Sequence, residues 1–320
     1  MARKPHRILR AACVAACALG LGACDNASRQ ATTSDDAAAP AETTDMQFLA
    51  DNAAWREQRL EGLLKPDGWT SLIGLHWIDL KTHYVGSGAT NGLRLAMGPE
   101  KVGLLQRDGG RVFLTPERGV ALTLDGAPLQ GRTELKTDDG QAPSLVGFDD
   151  GKGQMTVIER GDRLALRVKH SEAPTRTQFA GLEYWPADPS WRIDARYEPH
   201  PPGKTLQIAN IIGILEDTPN PGVVVFERDG KTHRLEALDG GEDSLFLILA
   251  DRTSGHDSYG AGRYVYTDLP TADNKVVIDF NRAYNPPCAF TPFATCPLPP
   301  LENRLDLAVT AGEKTYAKAH

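Results

Sequence analysis

The stretch Gln154-Met155-Thr156-Val157-Ile158-Glu159-Arg160-Gly161-Asp162-Arg163-Leu164-Ala165-Leu166-Arg167-Val168-Lys169 decides the fold class. Polar and apolar residues alternate, with one slip, on both sides of Gly161-Asp162. Side chains leave a strand on opposite faces in turn, and a two-residue break between alternating runs supplies a tight turn, so the pattern predicts an antiparallel hairpin. Asp108-Gly109-Gly110, Asp125-Gly126 and Asp229-Gly230 punctuate the chain in the same way. No helix–strand alternation of the kind that builds a parallel sheet is present. The chain is therefore predicted to be mainly β, with a β-sandwich over 68–173 and a second antiparallel β-rich unit over 174–320.

Ahead of the sandwich, Phe48, Leu49, Ala53, Arg56, Leu60 and Leu63 recur near helical spacing and Pro66-Asp67-Gly68 ends the run, predicting an N-terminal helix over 46–67. Beyond Ala173-Pro174, strands are expected over 206–215, 222–227, 232–238, 244–250, 263–267 and 275–280. The Asp268 to Asn274 interval, with Pro270 and Asp273, should turn the last two into a hairpin that brings Arg263 opposite Asp279. In the first unit, Val85-Gly86-Ser87 entering a strand, a hairpin at Gly109 and an Asp125-Gly126 turn within 120–129 resemble a forkhead-associated domain. That family's phosphothreonine-binding Arg and Ser-x-x-His do not occur over 98–110. The resemblance implies a scaffold, without phosphopeptide recognition.

The start of the chain carries a different message. Arg3, Lys4, Arg7 and Arg10 precede an apolar run over 11–21, which is short of the roughly 20 residues that span a bilayer and matches an export signal. Leu21-Gly22-Ala23-Cys24 resembles the bacterial lipobox, implying a signal peptide over 1–23 and lipid on Cys24. Two acyl chains, at about 0.8 kcal/mol per buried CH2, anchor a protein stably. Residues 24–45, rich in Ala, Thr, Asp and Glu with no aromatic residue, read as a disordered tether. The expected location is the bacterial cell envelope, lipid-anchored, with the ectodomain in the periplasm. The formal net charge is −7 and becomes more negative without the four leader cations, which argues against nucleic acid. Once Cys13 and Cys17 leave with the signal and Cys24 is acylated, Cys288 and Cys296 remain. In an oxidising compartment such a pair is most simply a disulfide. A two-thiolate metal site would need further ligands, and no histidine lies between His256 and His320.

Chemistry is harder to find. There is no Gly-x-Ser-x-Gly elbow, His-Glu-x-x-His, phosphate-binding glycine loop, dinucleotide fingerprint or EF-hand spacing, and no cofactor or metal is expected. Trp55-Arg56, Pro66-Asp67-Gly68-Trp69, Gly74-Leu75-His76-Trp77, Gly260-Ala261-Gly262-Arg263-Tyr264, Asp279-Phe280-Asn281-Arg282-Ala283-Tyr284-Asn285-Pro286-Pro287-Cys288-Ala289-Phe290 and Cys296-Pro297-Leu298-Pro299-Pro300 resemble the domain-of-unknown-function 1684 family of bacteria and archaea. The resemblance runs from Trp55 onward and implies a grouping without a mechanism. Its last block is proline-rich, so it must be an irregular loop held in shape by proline and disulfide. The polar groups on that loop and on the 253–263 turn, namely His256, Tyr259, Arg263, Asp279, Asn281, Arg282, Asn285, Glu302 and Asn303, are candidate ligand contacts. The competing reading is that these side chains satisfy loop backbone groups and one another. The function expected is a lipid-anchored binding or scaffolding ectodomain, its partners the membrane and a small polar ligand or an envelope protein. The alternative is a hydrolase-like envelope enzyme built from the 253–263 turn and the 279–303 loop.

Overall fold

The computed structural model describes residues 39–317, and the chain divides into two units, Met1–Glu42 and Thr43–His320. The leader, Cys24 and the tether residues 24–38 lie outside the described residues. Among the described residues, no helix is long and apolar enough to cross a membrane.

The 154–169 stretch forms the hairpin that its pattern predicts. Gly153–Arg160 pairs with Arg163–His170 in unbroken register, Arg160 opposite Arg163, and Gly161 takes a φ of 60° at the turn. Met155, Val157, Leu164, Leu166 and Val168 point into a buried core, leaving Thr156, Arg160, Arg163, Arg167 and Lys169 on the opposite face. This hairpin sits in a six-stranded sheet that packs on a five-stranded one containing Thr82–Gly86, Gly103–Asp108 and Arg111–Pro116. Val85, Leu105, Val112 and Leu114 meet the hairpin's apolar face across the core. The first unit is thus a two-sheet sandwich, compatible with a forkhead-associated arrangement.

The helix spans Ala39–Leu63, starting earlier and stopping earlier than expected. Gly68 then turns so tightly that a Cβ there would lie 2.6 Å from the Leu63 carbonyl oxygen. Residues 39–45, read from sequence as tether, are helical.

The second unit is a six-stranded antiparallel sheet in the order Arg263–Asp268, Ser244–Leu249, Lys231–Asp239, Gly222–Arg228, Arg192–Pro199, Lys275–Asp279. The expected pairing of the 263–267 and 275–280 strands does not form. They are the two ends of the sheet. Arg263–Asp268 pairs with Ser244–Leu249, and Lys275–Asp279 pairs with Arg192–Pro199, which puts Asp279 opposite Arg192. The sheet curls so that its end strands approach, and Tyr264 and Tyr284 close the seam with paired backbone hydrogen bonds of 2.9 and 3.0 Å. The expected 206–215 strand is also divided. Thr205–Ala209 and Leu215–Pro219 form a hairpin of their own around Asn210, whose Oδ1 accepts from Ile212 N and Ile214 N.

Inside the curl, Val224, Phe226, Leu235, Leu247, Val265 and Ile278 make a second core, completed by Leu305, Leu307, Val309 and Ala311 from a late segment. Arg263, fully buried, holds that segment: its guanidinium donates to the carbonyls of Val309 at 2.8 Å and Ala311 at 2.6 Å and to Asp251 Oδ2 at 2.7 Å. Between the two cores, Leu72 of the sandwich packs with Ile208, Leu238, Ile248 and the Cys288–Cys296 disulfide, so the units meet over a small apolar joint.

Candidate functional site

A cavity of about 400 Å³ opens at that joint. Each structural layer contributes to it: Arg59 from the helix, Trp69 from the turn after it, Arg160 and Arg167 from the outer face of the 154–169 hairpin, and Phe246, Tyr264, Tyr266 and Tyr284 from the curled sheet and its seam. The disulfide loop forms the remaining wall through Pro287, Ala294, Thr295, Cys296 and Pro297.

The aromatic side is built as a row. Phe246 and Tyr266 stack with centroids 4.8 Å apart and 23° between planes, and Tyr266 lies parallel to Tyr284 at 6.4 Å. Tyr264 meets Phe246 edge-on at 4.9 Å and donates its hydroxyl to the Pro297 carbonyl at 2.7 Å, which ties the row to the loop. Burial pushes the phenol pKa values of Tyr264, Tyr266 and Tyr284 upward, so all three remain neutral donors at physiological pH.

The cationic side is not fully compensated. Arg59 lies 4.6 Å above the Tyr284 ring and bonds Glu313 Oε1 at 2.8 Å and the Asn285 carbonyl at 2.8 Å. Arg160 bonds Asp138 Oδ2 at 2.9 Å and, through Nε, Thr295 Oγ1 at 3.0 Å. Arg167 reaches the same Thr295 hydroxyl only at 3.4 Å, packs 5.5 Å from Trp69, and makes no ion pair; its Nε is buried without a hydrogen-bond partner among the described residues. Burial lowers the Arg167 pKa from 12.5 to about 10; the neighbouring Arg160 charge pushes the same way and Asp138 opposes it. At pH 7 Arg167 is still a cation, held where a cation is costly. Among the described residues no carboxylate or imidazole lines the cavity, which presents positive charge and ring surface.

Residues 177–314 match the family model described as a protein of unknown function, DUF1684. The chain belongs to this family through that segment. The match begins well after Trp55, so the resemblance read over Trp55 to Trp77 lies outside it, as do Arg59, Trp69, Arg160 and Arg167. The chain is similar to the solution NMR structure of an uncharacterized protein of Haloarcula marismortui, with 30% identity over 45% of this chain and 81% of that one and a TM-score of 0.38. A comparison with curated proteins found no match.

Within the DUF1684 segment, the residues singled out from sequence are not gathered into one cluster. Arg263 lies inside the curled sheet with Asp251, and burial lowers its pKa against the pull of that carboxylate. Asp279 caps the next turn, accepting from Asn281 N at 3.0 Å, while Arg282 approaches it at 3.6 Å on the surface. Asn281 clamps the Asp188 backbone through both its oxygen and its nitrogen. Asn303 does the same to Glu236 and also donates to the Ile248 carbonyl. Asn285 bonds the Lys314 carbonyl and, through its backbone, Glu313. These asparagines satisfy buried loop backbone, the competing reading of the pattern. Tyr259 donates to the Cys288 carbonyl at 3.1 Å, bracing the disulfide loop. His256 and Glu302 are exposed, and no hydroxyl or carboxylate among the described residues engages the His256 imidazole. The predicted contact of Arg263 with Asp279 fails because Arg263 turns inside the sheet to Asp251 and backbone carbonyls while Asp279 caps the turn at Asn281. The 279–303 loop does reach the cavity, but through Tyr284, Thr295 and its prolines. Among the described residues, no cluster of three or more His, Cys, Asp or Glu side chains could hold a metal ion.

Proposed function

We propose that this protein is a lipid-anchored envelope protein whose folded part binds a small anion with an apolar body in the cavity between sandwich and curled sheet. The observation that carries the binding reading is the charge balance. Three guanidinium groups line the cavity, two have carboxylate partners, and Arg167 keeps a desolvated charge beside one weak hydroxyl contact. An anion seated there would compensate that charge, and hydrogen bonds to charged groups contribute roughly 1.5–3 kcal/mol each. Five aromatic rings supply the surface that an apolar body needs. The chain as a whole is acidic, so this local positive site stands out against its surroundings. The anchor half of the reading rests on Leu21-Gly22-Ala23-Cys24.

Calorimetric titration separates the binding reading from a merely greasy cleft. Phenyl phosphate and benzoate should bind, benzyl alcohol and phenethylammonium should not, and Arg167→Met should abolish the anion signal. Equal binding of all four compounds, or binding of none, overturns it. For the anchor, Cys24→Ser should move the protein from the membrane fraction to the soluble periplasm, and full retention on membranes would overturn that half.

A further inference from the structure

The cavity wall says more about the ligand than its charge. A compact oxyanion would answer Arg167 and leave the aromatic side wet, whereas a single aromatic ring would cover one member of the row. Phe246, Tyr266 and Tyr284 form the row, with 4.8 Å between the first two and 6.4 Å between the last two; Tyr284 lies beneath the Arg59 guanidinium and the middle ring, Tyr266, is 48% exposed. A chain of methylenes is the shape that covers such a row. An exposed apolar turn also borders the cavity wall. The 205–219 hairpin tip is fixed to the cavity wall at two points: Ile211 N donates to the Cys296 carbonyl at 2.9 Å, and Ile214 packs against Gly161, next to Arg160. That tip leaves Ile211 41% and Ile212 37% exposed. Two β-branched hydrophobes are thus held in solvent on a turn tied to the cavity-lining Cys296, an apolar surface next to a cationic cavity.

We infer that the ligand is an extended anionic amphiphile. Its head group lies at Arg160 and Arg167, and its alkyl chain runs along the ring row and out over Ile211 and Ile212. The inference rests on the cavity's being an anion site. The shared chemistry, an anionic head on an alkyl chain, belongs equally to a dissolved amphiphile and to a membrane lipid.

Titration of the folded protein with butyl, hexyl, octyl and decyl sulfate, each below its micelle concentration, tests it. Affinity should rise about two- to fourfold per added CH2, and octyltrimethylammonium should bind at least tenfold more weakly than octyl sulfate. Ile211→Ser with Ile212→Ser should flatten the rise for the longer chains. Leu80→Ser, which removes a still more exposed hydrophobe from the sandwich surface, should leave it intact. If the sulfates bind with no dependence on chain length, the amphiphile inference fails and the anion site stands; if none binds, the anion site itself fails. Equal binding of the ammonium compound reduces the result to surface adsorption and overturns the inference. Flotation with phosphatidylcholine vesicles, with and without phosphatidylglycerol, assigns the source. Lipid transferred from phosphatidylglycerol vesicles onto the protein supports a membrane lipid; no transfer alongside tight decyl sulfate binding supports a dissolved amphiphile.

Discussion

Two arginines show how one residue type is used for opposite ends. Arg263 is fully buried and its Nε has no partner among the described residues, but Asp251 and backbone carbonyls compensate its charge, so removing it strands a carboxylate in the core. Breaking a buried pair from one side costs about 3–5 kcal/mol, a large part of a typical domain's stability. Arg263→Met should therefore lower the urea midpoint sharply or prevent folding; a midpoint within experimental error of the parent would contradict the assigned role. Arg167 is under-satisfied, and its lowered pKa gives the binding reading a pH signature. Its folded-state pKa of about 10 lies below the ordinary value, so its charge is complete at pH 7 and is lost as pH rises through 10. Affinity for phenyl phosphate should be flat from pH 7 to 9 once the ligand's own second ionisation is complete, and should fall above 10. Decyl sulfate, which does not titrate in this range, should show the same decline. Titrations at stepped pH decide the point, and an affinity that keeps rising at pH 11 would exclude Arg167 as the anchor.

At the level of elements, the hairpins were legible and their assembly was not. The alternation over 154–169 specifies two strands, a turn and the inward set, and that much is in the structure. The same period of two places Arg160, Arg163, Arg167 and Lys169 on one face, so two of the three arginines that line the cavity were legible as a basic stripe on a sheet surface. The hairpin's use as a core element drew attention to its other face. The Arg192–Pro199 strand alternates charged residues with Ile193, Ala195 and Tyr197, the same signal as 154–169, and it is this strand that takes Lys275–Asp279 as its partner. Sequence proximity favours hairpins, but closing a sheet can send consecutive strands to opposite ends, and nothing local records that. Some packing is equally invisible. A Cβ on Gly153 would sit 2.2 Å from the buried Phe148 ring, so Gly153→Ala should cost about 1–3 kcal/mol through overpacking. Chemical denaturation checks it, and Phe148→Leu in the same chain should recover part of the loss.

Across the whole molecule, the joint between the two β units is where the pieces become a site. Neither unit holds the cavity alone: the sandwich brings Arg160 and Arg167, the DUF1684 segment brings the rings, and the disulfide loop carries Thr295, which both arginines approach. Composition and motif could locate none of this, since no stretch of the chain contains more than a part of it. The Cys288–Cys296 bond should accordingly matter in two ways. Replacing both cysteines with serine should cost about 2–3 kcal/mol for so short a closed loop, and should weaken anion binding at temperatures where the variant remains folded. Circular dichroism with calorimetry on one sample separates the two effects; unchanged affinity in a folded variant would detach the loop from the site.

The clamp on the 305–313 segment has a bearing on how the protein is made. The ribosome delivers the guanidinium of Arg263 more than forty residues before the Val309 and Ala311 carbonyls that receive it, and an exported chain would cross the membrane in the same order. Until those carbonyls arrive, the curled sheet must either stay open or enclose a partly solvated cation. Its closure is therefore coupled to synthesis of the 305–311 segment. A chain cut short before residue 309 would lack the means to finish its barrel and would remain a substrate for proteolysis. The buried arginine thus ties an earlier strand to a late segment, because only a polypeptide translated through residue 311 supplies both carbonyls that receive it.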